Sequence, residues 1–267
     1  MKDKSLEVLI SCMNQSDISL VEKSKITTDV LMINQCNTDG EFFAEKDNQR
    51  IRKLDVNQRG LSNSRNLALD NAIGDICLIC DDDEEMQPDY KQTIERAFEE
   101  LPQADIIIFL VKNHACKLKK KIYCLSKLDC LKVCSWQIAF RRKKILDAGI
   151  RFDPQLGAGT VQGCGEENKF LLDCLNAGVS IYHHPSHIAS VKQEESTWFH
   201  GYNKNFFYKR GLVTTYMLGR SLALLYAFYY VVRKRSMYKQ DCSSLMALWC
   251  LLKGIFSNEL KKAGSNE

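Results

Sequence analysis

The sequence predicts an α/β protein in which helices flank a mixed, mainly parallel sheet and a helical extension follows at the C-terminus. Strand-like apolar runs alternate with helix-like segments through the first half of the chain, and this alternation is typical of parallel sheets. The alternation loosens in the middle, as expected where antiparallel strands join the sheet. The 267 residues are 45% hydrophobic with only 4 Pro and 14 Gly, a composition that excludes disordered, collagen-like and repeat proteins.

Five strands and three helices account for the first half. Apolar runs predict strands over 6–12, 29–34, 51–56, 75–80 and 104–111. The segments between them predict helices over 17–26, 62–72 and 88–101, and Ser62 is the expected N-cap of the second.

The second half predicts shorter elements. They are a hairpin-like stretch at 119–125, a strand at 135–141, a short basic helix that ends at Gly149, a glycine-rich loop at 152–165, a helix at 166–177 and a strand at 179–183. From Leu212 the chain changes to aromatic and aliphatic runs at 222–232 and 245–252. Neither run reaches the ~20 apolar residues that a membrane span needs.

Positive charge is concentrated towards the C-terminus. Residues from Gly201 onward contain 11 Lys and Arg against 3 Asp and Glu, whereas the first 200 contain 26 against 30. A nucleic-acid-binding protein usually carries its basic surface on its main folded face, so we expect no nucleic acid as partner. A basic, apolar tail instead predicts a helix on an anionic membrane surface, and a helix pair packed on the main domain is the alternative.

Twelve cysteines lie mostly within apolar runs, and no secretory signal precedes them. We therefore expect reduced, buried thiols and a cytoplasmic location, peripheral on the inner face of the plasma membrane. Cys77 and Cys80 have the spacing of a zinc or redox pair, but they fall in a predicted strand. Residues three apart on a strand face opposite sides, so this pair cannot chelate one metal ion.

The strongest local signal is Asp81-Asp82-Asp83, which is extended by two glutamates and directly follows a buried strand. Ligands of open α/β sheets bind at the carboxyl ends of strands. Five adjacent acids repel one another, and oxygen ligands suit a hard cation, so the run predicts a Mg²⁺ or Mn²⁺ site. A solvated acidic turn is the alternative.

Two further segments carry polar groups suited to catalysis. Residues 60–66 place a glycine turn, two serines and Arg65 at a helix start, where phosphate is attracted, although an ordinary capped helix has the same pattern. Glu166 and Glu167 open a later helix. One of the two carboxylates can act as a general base while the other orients it or caps the helix.

Taken in order, residues 11–14, 60–66, 81–83 and 166–167 resemble the motifs of the inverting glycosyltransferases of family 2, which have the GT-A, Rossmann-like fold. The resemblance covers roughly residues 5–200 and is strongest to bacterial enzymes that assemble capsular polysaccharide or exopolysaccharide. It implies a catalytic domain at 1–205, with a nucleotide-sugar-binding half at 1–111 and an acceptor half at 112–205. A helical, basic, membrane-associating extension at 206–267 would follow.

The resemblance also implies roles for individual residues. Glu167 stands at the catalytic base, with Glu166 before it, and Asp81 and Asp83 stand at the ligands of Mn²⁺ or Mg²⁺. The residues implied in donor binding are Cys12, Asn14, Asn34, Arg65, Asp81 and Asp82. Trp198 and His200 are the candidates for contact with a glycan or lipid-linked acceptor.

One departure from the family pattern concerns the nucleotide. Family members often have an Asp pair after the second strand that reads uracil, whereas this chain has Asn34-Gln35 there. The amide of Asn34 can both donate and accept, so it suits a pyrimidine and a UDP-sugar donor, and a different base stays open.

Two other functions compete with glycosyl transfer. A nucleotidyltransferase also pairs acids with a metal, but it usually has a glycine-rich basic loop after the first strand, where this chain has Cys12-Met-Asn-Gln15. A scaffold that binds a divalent cation without turnover is the non-enzymatic alternative.

Overall fold

The computed structural model describes residues 5–46, 48–113, 118–191 and 201–260. The chain forms two compact units. The first consists of Met1–Thr160 and Glu166–Glu194, and the second consists of Val161–Gly165 and Glu195–Glu267.

The first unit contains all ten strands of the described chain: β1 (Leu6–Met13), β2 (Asp29–Gln35), β3 (Gly40–Lys46), β4 (Gln49–Val56), β5 (Ile76–Cys80), β6 (Glu84–Met86), β7 (Ile106–Lys112), β8 (Tyr123–Cys124), β9 (Ile138–Arg141) and β10 (Ile181–Val191). Its helices are α1 (Ser19–Lys23), α2 (Leu61–Asn71), α3 (Tyr90–Glu100), α4 (Lys127–Cys130), α5 (Arg142–Asp147) and α6 (Glu166–Asn176). The second unit contains α7 (Lys204–Leu218), α8 (Arg220–Arg233), α9 (Arg235–Tyr238) and α10 (Ser244–Ile255).

The strands form one mixed sheet in the order β3-β4-β2-β1-β5-β9-β7-β10-β6, and β8 pairs with β10 off this path. The block β4-β2-β1-β5 is parallel, as is the pair β7 and β10. β9 runs antiparallel between β5 and β7. The register sets Cys12 beside Asn34 and Asn34 beside Asp55, so three parallel strands end at the same edge. The predicted mixed α/β architecture is confirmed.

Burial explains why the central strands form. Every residue of β5 is buried, and so are the first six of β7. Such continuous apolar runs are typical of strands covered on both faces. The core under the sheet includes large side chains such as Tyr90, Phe109 and Met32.

Several elements differ from the sequence prediction. β3 was not predicted because its residues are nearly all exposed and carry no apolar periodicity. β10 continues to Val191, with irregular register around Pro185, rather than ending at residue 183. The predicted helix at 17–26 is reduced to α1, and the hairpin at 119–125 is reduced to β8, whose partner is β10. A 3-10 turn, Ser135–Gln137, occupies the start of the strand predicted at 135.

The second unit is held together by close helix packing. A Cβ atom added at Gly211 would overlap backbone atoms of Leu251, and one added at Gly254 would overlap backbone atoms of Tyr208. These two glycines therefore let α7 and α10 approach at backbone distance. In the part of the chain that the structure describes, none of the helices combines the length and the hydropathy needed to cross a membrane.

Candidate active site

Arg65 of α2 is the centre of the candidate site. Its side chain is only 3% exposed. Nη2 donates to Oδ1 of Asp81 at 2.8 Å, and Nη1 donates to Oε1 of Glu166 at 2.9 Å. One guanidinium thereby joins α2, the turn after β5 and the start of α6.

The electrostatics of this cluster keep Arg65 charged. Burial opposes a charged guanidinium, but the carboxylates of Asp81 and Glu166 outweigh it and raise the pKa of Arg65 above its ordinary value. Charge-assisted hydrogen bonds of this kind are the strong ones in proteins. Removing the cation would leave the buried carboxylate of Glu166 without its ion-pair partner.

The beginning of α2 is covered by the loop at 152–160. The N-cap is Gly60, with φ +105°, so the prediction of Ser62 as the cap is wrong. The amide of Leu61 donates to the carbonyl of Ala158 at 3.0 Å, and Ser62 Oγ donates to the carbonyl of Leu156 at 2.7 Å. Ser62 therefore binds the loop at 152–160 instead of capping the helix.

Asn66 fixes the other end of the same loop. Its amide exchanges two hydrogen bonds with the backbone of Phe152, both at 2.8 Å. Within the loop, Gly157 has φ +97°, and a Cβ atom there would lie 3.2 Å from the carboxyl group of Glu166. Only glycine permits both this backbone conformation and this close approach. The loop is shaped to the glutamate that Arg65 binds.

The acidic run is divided among different partners. Asp81 Oδ2 accepts a hydrogen bond from Ser135 Oγ at 2.9 Å, in addition to the contact of Oδ1 with Arg65. Glu85 pairs with Lys25 at 2.8 Å. Asp82 is exposed and Asp83 is half-buried in the turn between β5 and β6. The expectation of five mutually repelling acids is thus corrected, because two of them have a protein cation as partner.

Glu84 differs from the other acids of the run because it is buried without a cationic partner in the described residues. It is buried, and its Oε1 accepts a hydrogen bond from the backbone amide of Asp81 at 2.7 Å. Its Oε2 is also buried and contacts no hydrogen-bonding group in the described residues. Burial, together with the nearby charge of Asp81, raises the pKa of Glu84 well above its ordinary value. Burial therefore favours the neutral form of Glu84, whose hydrogen bond to the amide of Asp81 shapes the turn.

The residues present suit a divalent cation that arrives with a substrate. Across the described ranges, no group of three or more His, Cys, Asp or Glu side chains is arranged to hold a metal ion. Mg²⁺ in phosphate chemistry commonly takes only one or two protein carboxylates and completes its shell with phosphate oxygens and water. Asp81 and Asp83 at the end of β5 offer a donor set of this kind.

Glu167 adjoins this cluster and is half-buried. Burial, followed by the charge of Glu166, raises the pKa of Glu167 well above its ordinary value. The positive charge of Arg65 opposes this upward shift.

The ends of β1, β2 and β4 form a second polar group. Asn34 Oδ1 accepts from the amide of Gln15 at 2.8 Å, and Nδ2 donates to the carbonyl of Gln15 and to Asp55 Oδ1. The amide that was expected to read a base is therefore engaged in holding the loop after β1. Cys12 lies beside it, and burial raises the pKa of its thiol to about 12.

Lys53 and Asp55 belong to this second group and were missed by sequence reasoning. Their side chains form an ion pair at 2.9 Å, and Lys53 is almost fully buried. Burial disfavours the Asp55 carboxylate, but hydrogen bonds from Lys53 and Asn34 outweigh it and lower the pKa of Asp55. Their i, i+2 spacing on a predicted strand places both on one face, which was the available signal.

The other predicted residues are placed as follows. Asn14 follows β1 with φ +52°, a conformation that asparagine tolerates better than most residues. Cys77 and Cys80 are both buried in β5, and no disulfide bond links the cysteines of the described ranges. Trp198 and His200, the candidates for acceptor binding, lie outside the described residues.

The mixed sheet and the helices that flank it have the arrangement of the GT-A fold. Residues 19–146 match the sequence model described as Glycosyl transferase family 2. This region of the first unit is therefore a glycosyltransferase family 2 domain.

Solved structures show the same fold at low sequence identity. Staphylococcus aureus TarS 1-349 in complex with UDP-GlcNAc is 14% identical with a TM-score of 0.60, and the match covers 89% of this chain and 74% of that one. The mannosyltransferase PcManGT from Pyrobaculum calidifontis, in complex with GDP-Man and Mn²⁺, is 11% identical with a TM-score of 0.51, and the match covers 94% and 88%. No curated protein matches the sequence at a significant level.

Replacing Arg65 tests its central position. Arg65→Ala should lower the free energy of unfolding by about 3–5 kcal/mol, because it leaves the buried carboxylate of Glu166 uncompensated. Arg65→Lys should recover part of this loss, since an ammonium group cannot span both acids in the same geometry. Urea unfolding measures both. Arg151→Ala is the matched control, because its pair with Asp70 is exposed and should contribute at most ~1 kcal/mol. Equal losses for Arg65→Ala and Arg151→Ala would contradict the central role.

Glu84→Gln tests the neutral acid. The unfolded chain loses this proton near pH 4.3, whereas the folded chain keeps it to a higher pH, so the wild type loses stability as pH rises above about 4. Glutamine does not ionise. The melting temperature of the variant should therefore rise relative to that of the wild type as the pH increases above about 4. Glu45→Gln, at an exposed position of β3, controls for the loss of one carboxylate. A difference that is constant with pH would show that Glu84 is ionised in the folded protein.

Proposed function

We propose that this glycosyltransferase transfers a sugar from a nucleotide-sugar donor, a UDP-sugar, to a glycan or lipid-linked acceptor with inversion at the anomeric carbon. The reaction would serve bacterial surface-polysaccharide synthesis at the cytoplasmic face of the plasma membrane. The observation that carries the proposal is the bridge from Asp81 through Arg65 to Glu166, because it joins the acidic turn and the glutamate pair in one site.

The fold and its relatives support a nucleotide-sugar donor. Ligands of open α/β sheets bind over the carboxyl ends of the strands, where Asn34, Asp55 and Asp81 lie. TarS has been solved with UDP and with UDP-GlcNAc, and PcManGT with GDP-Man. Because the amide of Asn34 is engaged by Gln15, we propose that the loop after β1, rather than Asn34 itself, contacts the base.

Asp81 and Asp83 would hold Mg²⁺ or Mn²⁺ together with the diphosphate of the donor, and Asp82 would lie near the same nucleotide. A bound divalent cation supplies Lewis-acid stabilisation of the charge that grows on the leaving diphosphate. The protein's own contribution is to hold the turn in place: Arg65 and Ser135 fix the two oxygens of Asp81, and Glu84 fixes its backbone amide. The turn is thereby arranged before any donor binds.

Glu167 would act as the general base. The acceptor hydroxyl oxygen attacks the anomeric carbon, the bond from that carbon to the diphosphate oxygen breaks, and Glu167 takes the hydroxyl proton. A base is most effective when its pKa lies near the working pH, and burial beside Glu166 shifts the pKa of Glu167 upward in that direction. Glu166, bound to Arg65, would position Glu167 rather than react.

Asp83→Ala tests the metal part of the proposal. The variant should lose turnover and the Mn²⁺-dependent part of UDP binding, because it removes one of the two carboxylates that would hold the cation. Asp82→Ala should have a smaller effect. Titration calorimetry with UDP, with and without Mn²⁺, measures this, and Asp89→Ala at an exposed site after β6 is the matched control. Unchanged metal dependence in Asp83→Ala would indicate that the run is a solvated turn.

Glu167→Gln is the experiment that tests the function. Turnover of UDP-sugar should fall about 10²–10⁴-fold while donor binding is retained, as expected for loss of a general base. In the wild type, turnover should rise with pH as Glu167 loses its proton, with a midpoint above the ordinary glutamate value of about 4.3. Glu166→Gln should cost less turnover and more stability. A wild-type protein that binds UDP and never turns over a UDP-sugar would instead favour the non-catalytic scaffold.

A further inference from the structure

Helix α8 of the second unit carries apolar residues on two opposite faces. Ala223, Ala227 and Tyr230 are buried against the rest of the unit. The residues spaced three and four apart on the other face are 49% to 71% exposed, and they are Leu222, Leu225, Phe228, Tyr229 and Val232. A helix that buries one apolar face usually presents a polar face to water, so the second apolar face requires another explanation.

Helix α10 repeats this arrangement. Ala247, Leu251 and Ile255 are buried, whereas the large side chains on the opposite face are exposed. The exposed ones are Leu245 at 83%, Trp249 at 57% and, directly after the helix, Phe256 at 60%. We call the exposed apolar residues of α8 and α10 the apolar stripes. Large apolar side chains that recur along the exposed face of a helix are the kind of surface that interaction sites present.

Cations lie at the edges of the apolar stripes. The ammonium group of Lys253 lies 5.5 Å from the ring centre of Trp249, and the guanidinium of Arg220 lies 5.9 Å from that of Phe256. Arg233, Lys234 and Arg235 follow directly at the end of the α8 stripe. Residues 201–260 contain 9 Lys and Arg against 2 acids, so this half of the chain is strongly cationic.

A cavity beside the start of the α10 stripe adds to this basic surface. It has a volume of about 320 Å³, and its lining includes Arg235, Lys239 and Ser244, the residue before Leu245. The lining also contains Asp241, so it has two basic side chains and one acidic side chain.

We propose that the apolar stripes and their flanking cations dock on an anionic lipid bilayer, with α8 and α10 lying in the plane of the membrane interface. Apolar and aromatic side chains enter the boundary between headgroups and acyl chains, and lysines and arginines contact the anionic headgroups. Tyr229 and Trp249 are of the types enriched at membrane interfaces. A spanning arrangement does not fit, because both helices are too short for it.

The charge of the surface favours a bilayer over a second copy of the chain as the binding partner of the apolar stripes. In a two-fold dimer the same patch lies on both sides of the interface, so the cations that flank the stripes would face one another. Like charges set against each other across an interface oppose association. An anionic bilayer provides the complementary charge for the same cations and an apolar interior for the same side chains.

The experiment uses the full chain and vesicles of phosphatidylcholine, alone or mixed with phosphatidylglycerol. The protein should co-sediment with the anionic vesicles at low salt and be released by high salt, because exposed charges are screened. The emission of Trp249 should shift to the blue on binding, and Trp249→Phe should remove that shift. Leu225→Glu should reduce the vesicle-bound fraction about 10-fold, since it places a charge in the stripe.

Leu128→Glu is the matched control, because Leu128 in α4 of the first unit is 68% exposed, the same fraction as Leu225. It should bind vesicles like the wild type, and unchanged circular dichroism of both variants shows that they fold.

A wild-type protein that does not bind anionic vesicles at low salt overturns the proposal, as do equal effects of Leu225→Glu and Leu128→Glu. A dimer in light scattering that Leu225→Glu dissociates, without vesicle binding, would assign the stripes to a second copy. No donor or acceptor is present, so the result is independent of glycosyl transfer.

Discussion

The buried guanidinium of Arg65 is the interaction on which the candidate site depends. It joins two carboxylates that stand 16 and 101 residues away along the chain. Burying a carboxylate without a partner is costly, so neither the turn after β5 nor the start of α6 would be stable in its place without this cation. The loop at 152–160 depends on it in turn, because Gly157 is fitted against the glutamate that Arg65 holds. One residue of α2 therefore sets the relative positions of the acids to which we assign metal binding and proton transfer.

Pairing of charges within the protein also explains how five consecutive acids can follow a buried strand. Asp81 is paired with Arg65 and Glu85 with Lys25, and burial favours the protonated form of Glu84. Repulsion within the run is therefore largely relieved by the protein itself. A cation brought by a substrate would meet a turn that is already folded, and little of its binding energy would be needed to order the chain.

Most strands of the sheet and the chain segments of the candidate site could be predicted from the sequence. Continuous apolar strands and the Gly60 to Asn66 segment are local patterns, so they can be recognised without knowledge of the fold. Side-chain contacts between residues far apart in the sequence could not be predicted in this way. Ser62 looks like a helix cap, yet its hydroxyl group contacts the carbonyl of Leu156, 94 residues away. The roles of Ser135 and Glu84 follow from where β9 and β6 enter the sheet, and no periodicity specifies that. β3 was missed because an exposed edge strand needs no apolar residues.

Glu166 and Glu167 are neighbours of the same residue type, and only their surroundings separate them. The carboxylate of Glu166 forms an ion pair with Arg65, an arrangement that fixes it in place. Glu167 is the member of the pair whose pKa is raised, by burial and by the fixed negative charge beside it. A carboxylate that is held by a strong cation is a weak proton acceptor, whereas one that lies near another negative charge is a stronger one. The bridge to Arg65 positions the start of α6, and the positive charge of Arg65 opposes part of the upward shift in the pKa of Glu167, so burial is the main cause of that shift.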